Sequence, residues 1–208
     1  MMLDRLSLIQ WLSPAFPTGG FAYSHGLEQA MTEGTRDAAA VGTWVADVLA
    51  HGGGWVDAVA LGLVLRGEDA SEIAGLLRAQ AGSAERLTET LDQGRAFAAT
   101  VSALGIAVAL APLPVAVGLA ARRLSLPAVE VIAHYLHGFA SNLISAATRF
   151  LPLGQAQAQA TLTGLHDTVA QVAARAAMAG RDDLASCAFG GDLAALRHET
   201  LEVRIFRT

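Results

Sequence analysis

The 208 residues suit one domain with a sizeable core, and their formal charge of −5 argues against a nucleic-acid partner, which needs a basic face. All 14 basic side chains other than histidine are arginine, which excludes a phosphate-binding loop built on lysine and any lysine Schiff base. Cys187 is the sole cysteine, so no intramolecular disulfide or multi-thiolate zinc site can form, and a lone thiol fits a reducing compartment.

Leu3, Leu6, Ile9 and Leu12 stand at helical spacing. The start shows Arg5 beside Asp4 and no apolar run of the signal-peptide kind, so a cytoplasmic location is expected. Trp11 to Glu28 then crowds aromatics, prolines, glycines and one histidine into a short span. Pro14 and Pro17 fix φ and lack an N–H, and Gly19 and Gly20 allow a sharp turn. Helical signals resume near Phe21. The expectation is a rigid corner between helices, with Phe16, Phe21 and Tyr23 packed in it.

Further on, alanine, leucine and arginine favour helix and strand signals are almost absent. Ala40 to Ala50 reads as a helix with Val41, Trp44, Val45, Val48 and Leu49 on one stripe, stopped by Gly52, Gly53 and Gly54. Trp55 to Leu65 is apolar nearly all round except for Asp57, which predicts burial. Asp69 and Glu72 cap a short helix through Arg78. Ser83 caps a longer one from Ala84, with Arg86, Glu89 and Asp92 on its wetter side.

No charge interrupts Ala96 to Ala121. A membrane span needs roughly 20 apolar residues. Pro112 and Pro114 split this run and leave a first piece of about 16, some 24 Å at helical rise. A central core helix is expected, with a membrane span as its rival. A helix from Pro127 to about Phe150 follows, then helical sequence from Gln155 to Met178 with a break near Gly164, and a last short helix capped by Asp192. The chain thus predicts an all-α, single-domain helical bundle of roughly nine or ten helices, without internal repeat or linker.

Candidate chemistry is sparse. Glu130, His134 and His137 share a helical face and could ligate a metal, which would suit a metal-dependent hydrolase; a surface or core histidine cluster is the plainer alternative. Ser24 and His25 are adjacent, but no motif supplies a third catalytic group. His25 can equally be a hydrogen-bonded structural histidine. The segment 192–208 mixes Leu193, Leu196, Leu201, Val203, Ile205 and Phe206 with Arg197, Arg204 and Arg207. Such a tail orders on a partner or docks on its own bundle.

The order SPAFPTGGFAYSHGLE, from Ser13 to Glu28, resembles the N-terminal signature of the urease accessory protein UreF family. Its carriers here include Ser13, Pro14, Phe16, Pro17, Phe21, Tyr23, Ser24, His25 and Glu28. PVAVG at Pro114 to Gly118, RFLPLGQ at Arg149 to Gln155, and the C-terminal run from Ala188 to Thr208 resemble further family elements. Arg36 to Asp92 carries no such motif. The resemblance implies a non-enzymatic, cytoplasmic assembly factor that joins the accessory protein UreD/UreH and the GTPase UreG on apo-urease and helps insert nickel. It implies partner contacts by His198, Glu199, Arg204, Phe206 and Arg207, and a homodimer. No cofactor is expected to bind tightly, nickel being handled by the larger complex, and neither nucleic acid nor membrane is an expected partner.

Overall fold

The computed structural model describes residues 1–207 and is all-helical over them. Eleven α-helices follow in order: α1 Met2–Trp11, α2 Leu27–Glu33, α3 Ala38–His51, α4 Gly53–Leu65, α5 Ala70–Ala79, α6 Ala84–Ala103, α7 Leu113–Ala121, α8 Ala128–Phe150, α9 Gln155–Gly164, α10 His166–Ala176 and α11 Phe189–His198. Short 3-10 turns lie at Gly20–Ala22 and Arg181–Asp183.

The helix starts follow side-chain chemistry. Asp37 accepts the Ala40 N–H at 2.8 Å, Asp69 accepts those of Ser71 and Glu72, and Ser83 accepts that of Arg86 at 3.0 Å. Each satisfies a donor that the first helical turn leaves open. Asp192, expected as a cap, instead lies inside the first turn of α11, where its carboxylate accepts the Ser186 hydroxyl at 2.7 Å. Of the three glycines after α3, only Gly52 breaks the helix; Gly53 and Gly54 already belong to α4.

The apolar run from Ala96 to Ala121 is not the single core helix expected of its first part. α6 stops at Ala103. Gly105 takes φ +85°, while the N–H of Ile106 bonds to the Val101 carbonyl and that of Gly105 to Ser102. This is a glycine-terminated helix end, in which the left-handed residue turns the last carbonyls back into use. The chain then crosses over α6 so closely that a Cβ on Gly94 would fall 2.0 Å from the Ala111 carbonyl oxygen.

α4 is the centre of the molecule. It packs on α3, α7, α8 and α10, and its residues Ala58 to Val64 are fully enclosed. Together α3 and α4 are long and apolar enough to cross a membrane, but 67% of their most apolar window is buried against the other helices. Near the start of the chain, Phe97 of α6 is held by Trp11, edge-on at 6.5 Å, and by Phe16 at 5.7 Å. That contact fixes the corner after α1 to the bundle.

Candidate functional site

The corner and the tail, at opposite ends of the sequence, meet. Gly26 makes the meeting possible: it has φ +78° at the start of α2, and a Cβ there would lie 2.7 Å from the Ala195 backbone nitrogen. α11 therefore packs directly on α2. His198, at the end of α11, is fully buried between two acids. Its Nε2 lies 3.0 Å from Glu28 Oε2 and its Nδ1 2.8 Å from Glu85 Oε2.

Glu28 is also buried, and it accepts the backbone N–H groups of Ile205 at 2.7 Å and Phe206 at 2.9 Å. Arg204 pairs with Glu85. Glu199 accepts the N–H groups of Ala84 at 2.7 Å and Glu85 at 3.3 Å, capping α6 from outside its own sequence. Phe206 is only 4% exposed and lies under the Arg149 guanidinium, 4.5 Å from the ring centroid. The Arg207 N–H donates to the Ala22 carbonyl, and a hydrogen bond to Tyr23 raises its guanidinium pKa.

The tail up to Arg207 is thus seated on the chain's own corner; Thr208 lies outside the described residues. Phe206, expected to be presented as an anchor beyond the core, is itself core. Its backbone leads it there, because buried Glu28 collects its own amide and that of Ile205 before it.

The corner divides by burial. Phe16, Tyr23, Ser24 and Glu28 are buried, and Ser24 Oγ accepts the Glu28 N–H at 3.2 Å. Pro14 and Pro17 are exposed, and Ser13 Oγ accepts the Ala15 N–H. Phe21 does not pack as expected: it is 68% exposed, because the 3-10 turn that carries it directs its carbonyl inward, onto Arg149 at 2.6 Å, and its ring outward.

His25 sits at φ +52°, a left-handed conformation rare outside glycine. Its ring stacks on Phe139 at 4.3 Å, and its Nε2 lies 2.9 Å from Glu89 Oε1. Glu89 also faces Arg86 at 3.1 Å, Arg86 grips both oxygens of Asp57 at 2.6 and 2.7 Å, and Tyr135 donates to Asp57 at 2.7 Å. Glu89, read as lying on the wetter side of α6, is 1% exposed.

Electrostatics hold Glu89 and Arg86 of this cluster charged. Burial alone would raise the Glu89 carboxyl, but His25 and Arg86 outweigh it and the net shift is downward. Burial alone would lower the Arg86 guanidinium, but Asp57 and Glu89 outweigh it and the net shift is upward. Burial and then Asp57 push the Tyr135 phenol well above its ordinary range, so it remains a donor. The cluster forms the wall between a cleft of about 470 Å³, bordered also by Ser186 and Asp192, and a small cavity of about 70 Å³ beside Gln93 and Asn142. Each charge in it meets an opposite one, so its chemistry is cohesion: it ties the corner to α4, α6 and α8.

The face of Glu130, His134 and His137 does not gather into a donor set. Arg5 engages both Glu130 oxygens, at 2.6 and 3.2 Å, and depresses its carboxyl. His137 turns to His166 of α10, with ring centroids 5.6 Å apart. Among the described residues no group of three or more His, Cys, Asp or Glu side chains could hold a metal ion.

Asp57, Glu85, Arg86, Glu89, Tyr135 and Arg149 went unassigned in the sequence reading. One signal was present: Asp57 is the lone acid in an otherwise apolar helix, and a buried acid requires a partner. Nothing local pointed to Arg86 as that partner.

The UreF family model matches residues 35–166. The chain belongs to the UreF family. It is 60% identical over 210 residues to the urease accessory protein UreF of Cereibacter sphaeroides strain ATCC 17029, with both chains covered completely. It is 55% identical to the UreF of Paracoccus denitrificans, covering 98% of this chain and 96% of that protein, and 45% identical to that of Dinoroseobacter shibae over the whole of both. The family model spans the motif-poor stretch after Arg36, whereas the corner and the tail fall within the alignments to full-length UreF proteins.

Proposed function

We propose that this UreF protein is a non-enzymatic, cytoplasmic assembly factor that docks, as a homodimer, with UreD/UreH and the GTPase UreG on apo-urease and promotes nickel insertion into the urease active site. Nickel is cargo of the whole complex in this reading, and the nucleotide chemistry belongs to the GTPase. Regulation of that GTPase is part of the same role. Its relatives, the urease accessory proteins UreF of the organisms named above, support it.

The observation that carries the docking role is the outer face of α11. Phe189, Leu193 and Leu196 recur at helical spacing and are exposed, Phe189 by 83%, and Val203 and Ile205 of the tail are exposed as well. Helix faces of this kind lie against a partner protein's groove through i, i+4 and i+7 anchors. The His198–Glu28 seat beneath holds this face in one orientation. The tail's contribution is therefore scaffolding by His198, Glu199, Arg204 and Phe206 and contact by Leu193, Leu196 and Ile205.

The test is co-purification of the full-length chain with UreD/UreH, UreG and apo-urease, comparing wild type with Leu193→Glu/Leu196→Glu. The expected result is unchanged melting and lost capture of UreD/UreH. A double variant that captures the partner as wild type does, or a wild-type chain that captures none of the three, overturns the reading.

A further inference from the structure

One pair of rings takes no part in the seat or the charged cluster described above. His137 of α8 and His166, the first residue of α10, lie with ring centroids 5.6 Å apart. Their planes are inclined at 46°, neither the parallel nor the perpendicular arrangement that ring attraction favours. Both side chains are exposed. His25 and His198 face carboxylates, whereas neither of these rings pairs with an acid among the described residues.

Metal geometry fits the spacing. An ion bonded to an imidazole nitrogen at about 2.1 Å lies about 3.2 Å from the centroid of that ring. Two rings in neighbouring positions of an octahedral or tetrahedral ion then have centroids about 4.5–5.2 Å apart. The observed separation is a few tenths of an ångström above the tetrahedral figure, which small side-chain rotations close.

The backbone holds the two donors together. Leu136 and Phe139 near His137, and Leu165 before His166, are buried, and α8 packs on α10. Burial, and then His166 and His134, lower the His137 pKa, which favours the neutral ring that a ligand must be. The positive end of the α10 dipole opposes a cation at His166, and Asp167 in the same turn offsets it. Glu130 is not a third ligand, because Arg5 holds both of its oxygens.

We propose that His137 and His166 form a two-histidine site for a late first-row divalent cation, which staples α8 to α10. Imidazole suits nickel, copper and zinc, whereas magnesium and calcium take oxygen ligands. Water completes the coordination, since both rings face solvent. With two protein ligands in place of the four of a structural zinc site, binding is weak and reversible. The site follows from this geometry alone and does not rest on the assembly-factor reading.

The test uses the isolated, untagged full-length chain. Titration calorimetry with Zn2+ should show one saturable ion per chain, and Mg2+ should give no binding. Losing even a residue that only supports a ligand costs about tenfold or more in metal affinity, so His137→Gln and His166→Gln should each weaken zinc binding by at least that factor. Without metal both variants should melt as wild type does, because the rings are exposed. Zinc should raise the melting temperature of the wild type and not of the variants. On the wild type itself, substoichiometric paramagnetic Ni2+ should broaden the ring signals of His137 and His166 before those of His25 and His51. Zinc binding that survives either single variant, equal binding of Mg2+, or broadening centred on other histidines overturns the site. If a variant does not fold, the wild-type broadening decides. No partner is present, so failure here is distinct from failure of the docking role.

Discussion

Glu28 Oε2 lies 3.0 Å from His198 Nε2, joining residues 170 positions apart inside a shared buried seat. The corner near the N-terminus and the end of the last helix are consequently one structural unit. A perturbation in either should be read out in the other.

The tail gives the first prediction. Phe206→Ala removes a ring buried beneath Arg149. A buried Phe truncation typically costs about 3–5 kcal/mol. Here the segment can peel away instead, so the loss in global stability should stop at the smaller docking free energy. Limited trypsin digestion should then cut at Arg204 far faster than in wild type, with α4 intact. Unchanged cleavage would show that the ring does not hold the tail.

Arg86→Leu should be severely destabilising. Asp57 and Glu89 would remain as buried acids without their shared cation. Breaking a buried pair by removing one partner costs about 3–5 kcal/mol. Urea denaturation of Arg86→Leu beside the double variant Arg86→Leu/Asp57→Leu is the measurement, and the double variant should recover part of the loss.

Acid stability follows from Glu89. Its carboxyl lies below the ordinary value when folded, since His25 and Arg86 outweigh burial. A group depressed in the folded state contributes stability above its unfolded pKa, about 4.3 for glutamate, and loses it as pH falls through the folded value. Unfolding midpoints should therefore hold near neutrality and drop below about pH 4. Glu89→Gln should be weaker at neutral pH and show a shallower acid limb. An acid limb as steep as wild type would remove Glu89 from the account.

The two exposed-ring and buried-ring aromatics of the corner should separate cleanly. Tyr23→Ala empties a buried site and removes the hydrogen-bond partner of exposed Arg207, and should cost about 3–5 kcal/mol. Phe21→Ala, on a ring facing solvent, should stay within about 0.5 kcal/mol. Thermal melts of the two variants check this; equal losses would mean that Phe21 is packed.

How much of this was legible beforehand depended on the range of the interactions. The helices at α3, α5, α6 and α8 were readable because their signals are local: an Asp or Ser a residue before the first turn, a Pro at the start of α8, an apolar stripe at helical spacing. The stop at Gly105 was also local, yet it was hidden in a run of alanines where composition outweighed one glycine. The family resemblance lay in consecutive residues and needed no fold.

The site was different. Glu28, Glu85 and His198 sit in three separate stretches, and no spacing in the chain connects them. Phe206, which looks like a solvent-facing anchor in a linear reading, is buried because Glu28 binds its amide and that of Ile205 before it. Sequence by itself determined the helical class, the caps at Asp69 and Ser83 and the family, since each rests on neighbours within a few residues or on residue identity. Only the tertiary structure decided which charges pair and which apolar side chains remain outside, because burial and electrostatic balance are properties of packed surfaces, set once α2, α6 and α11 are side by side.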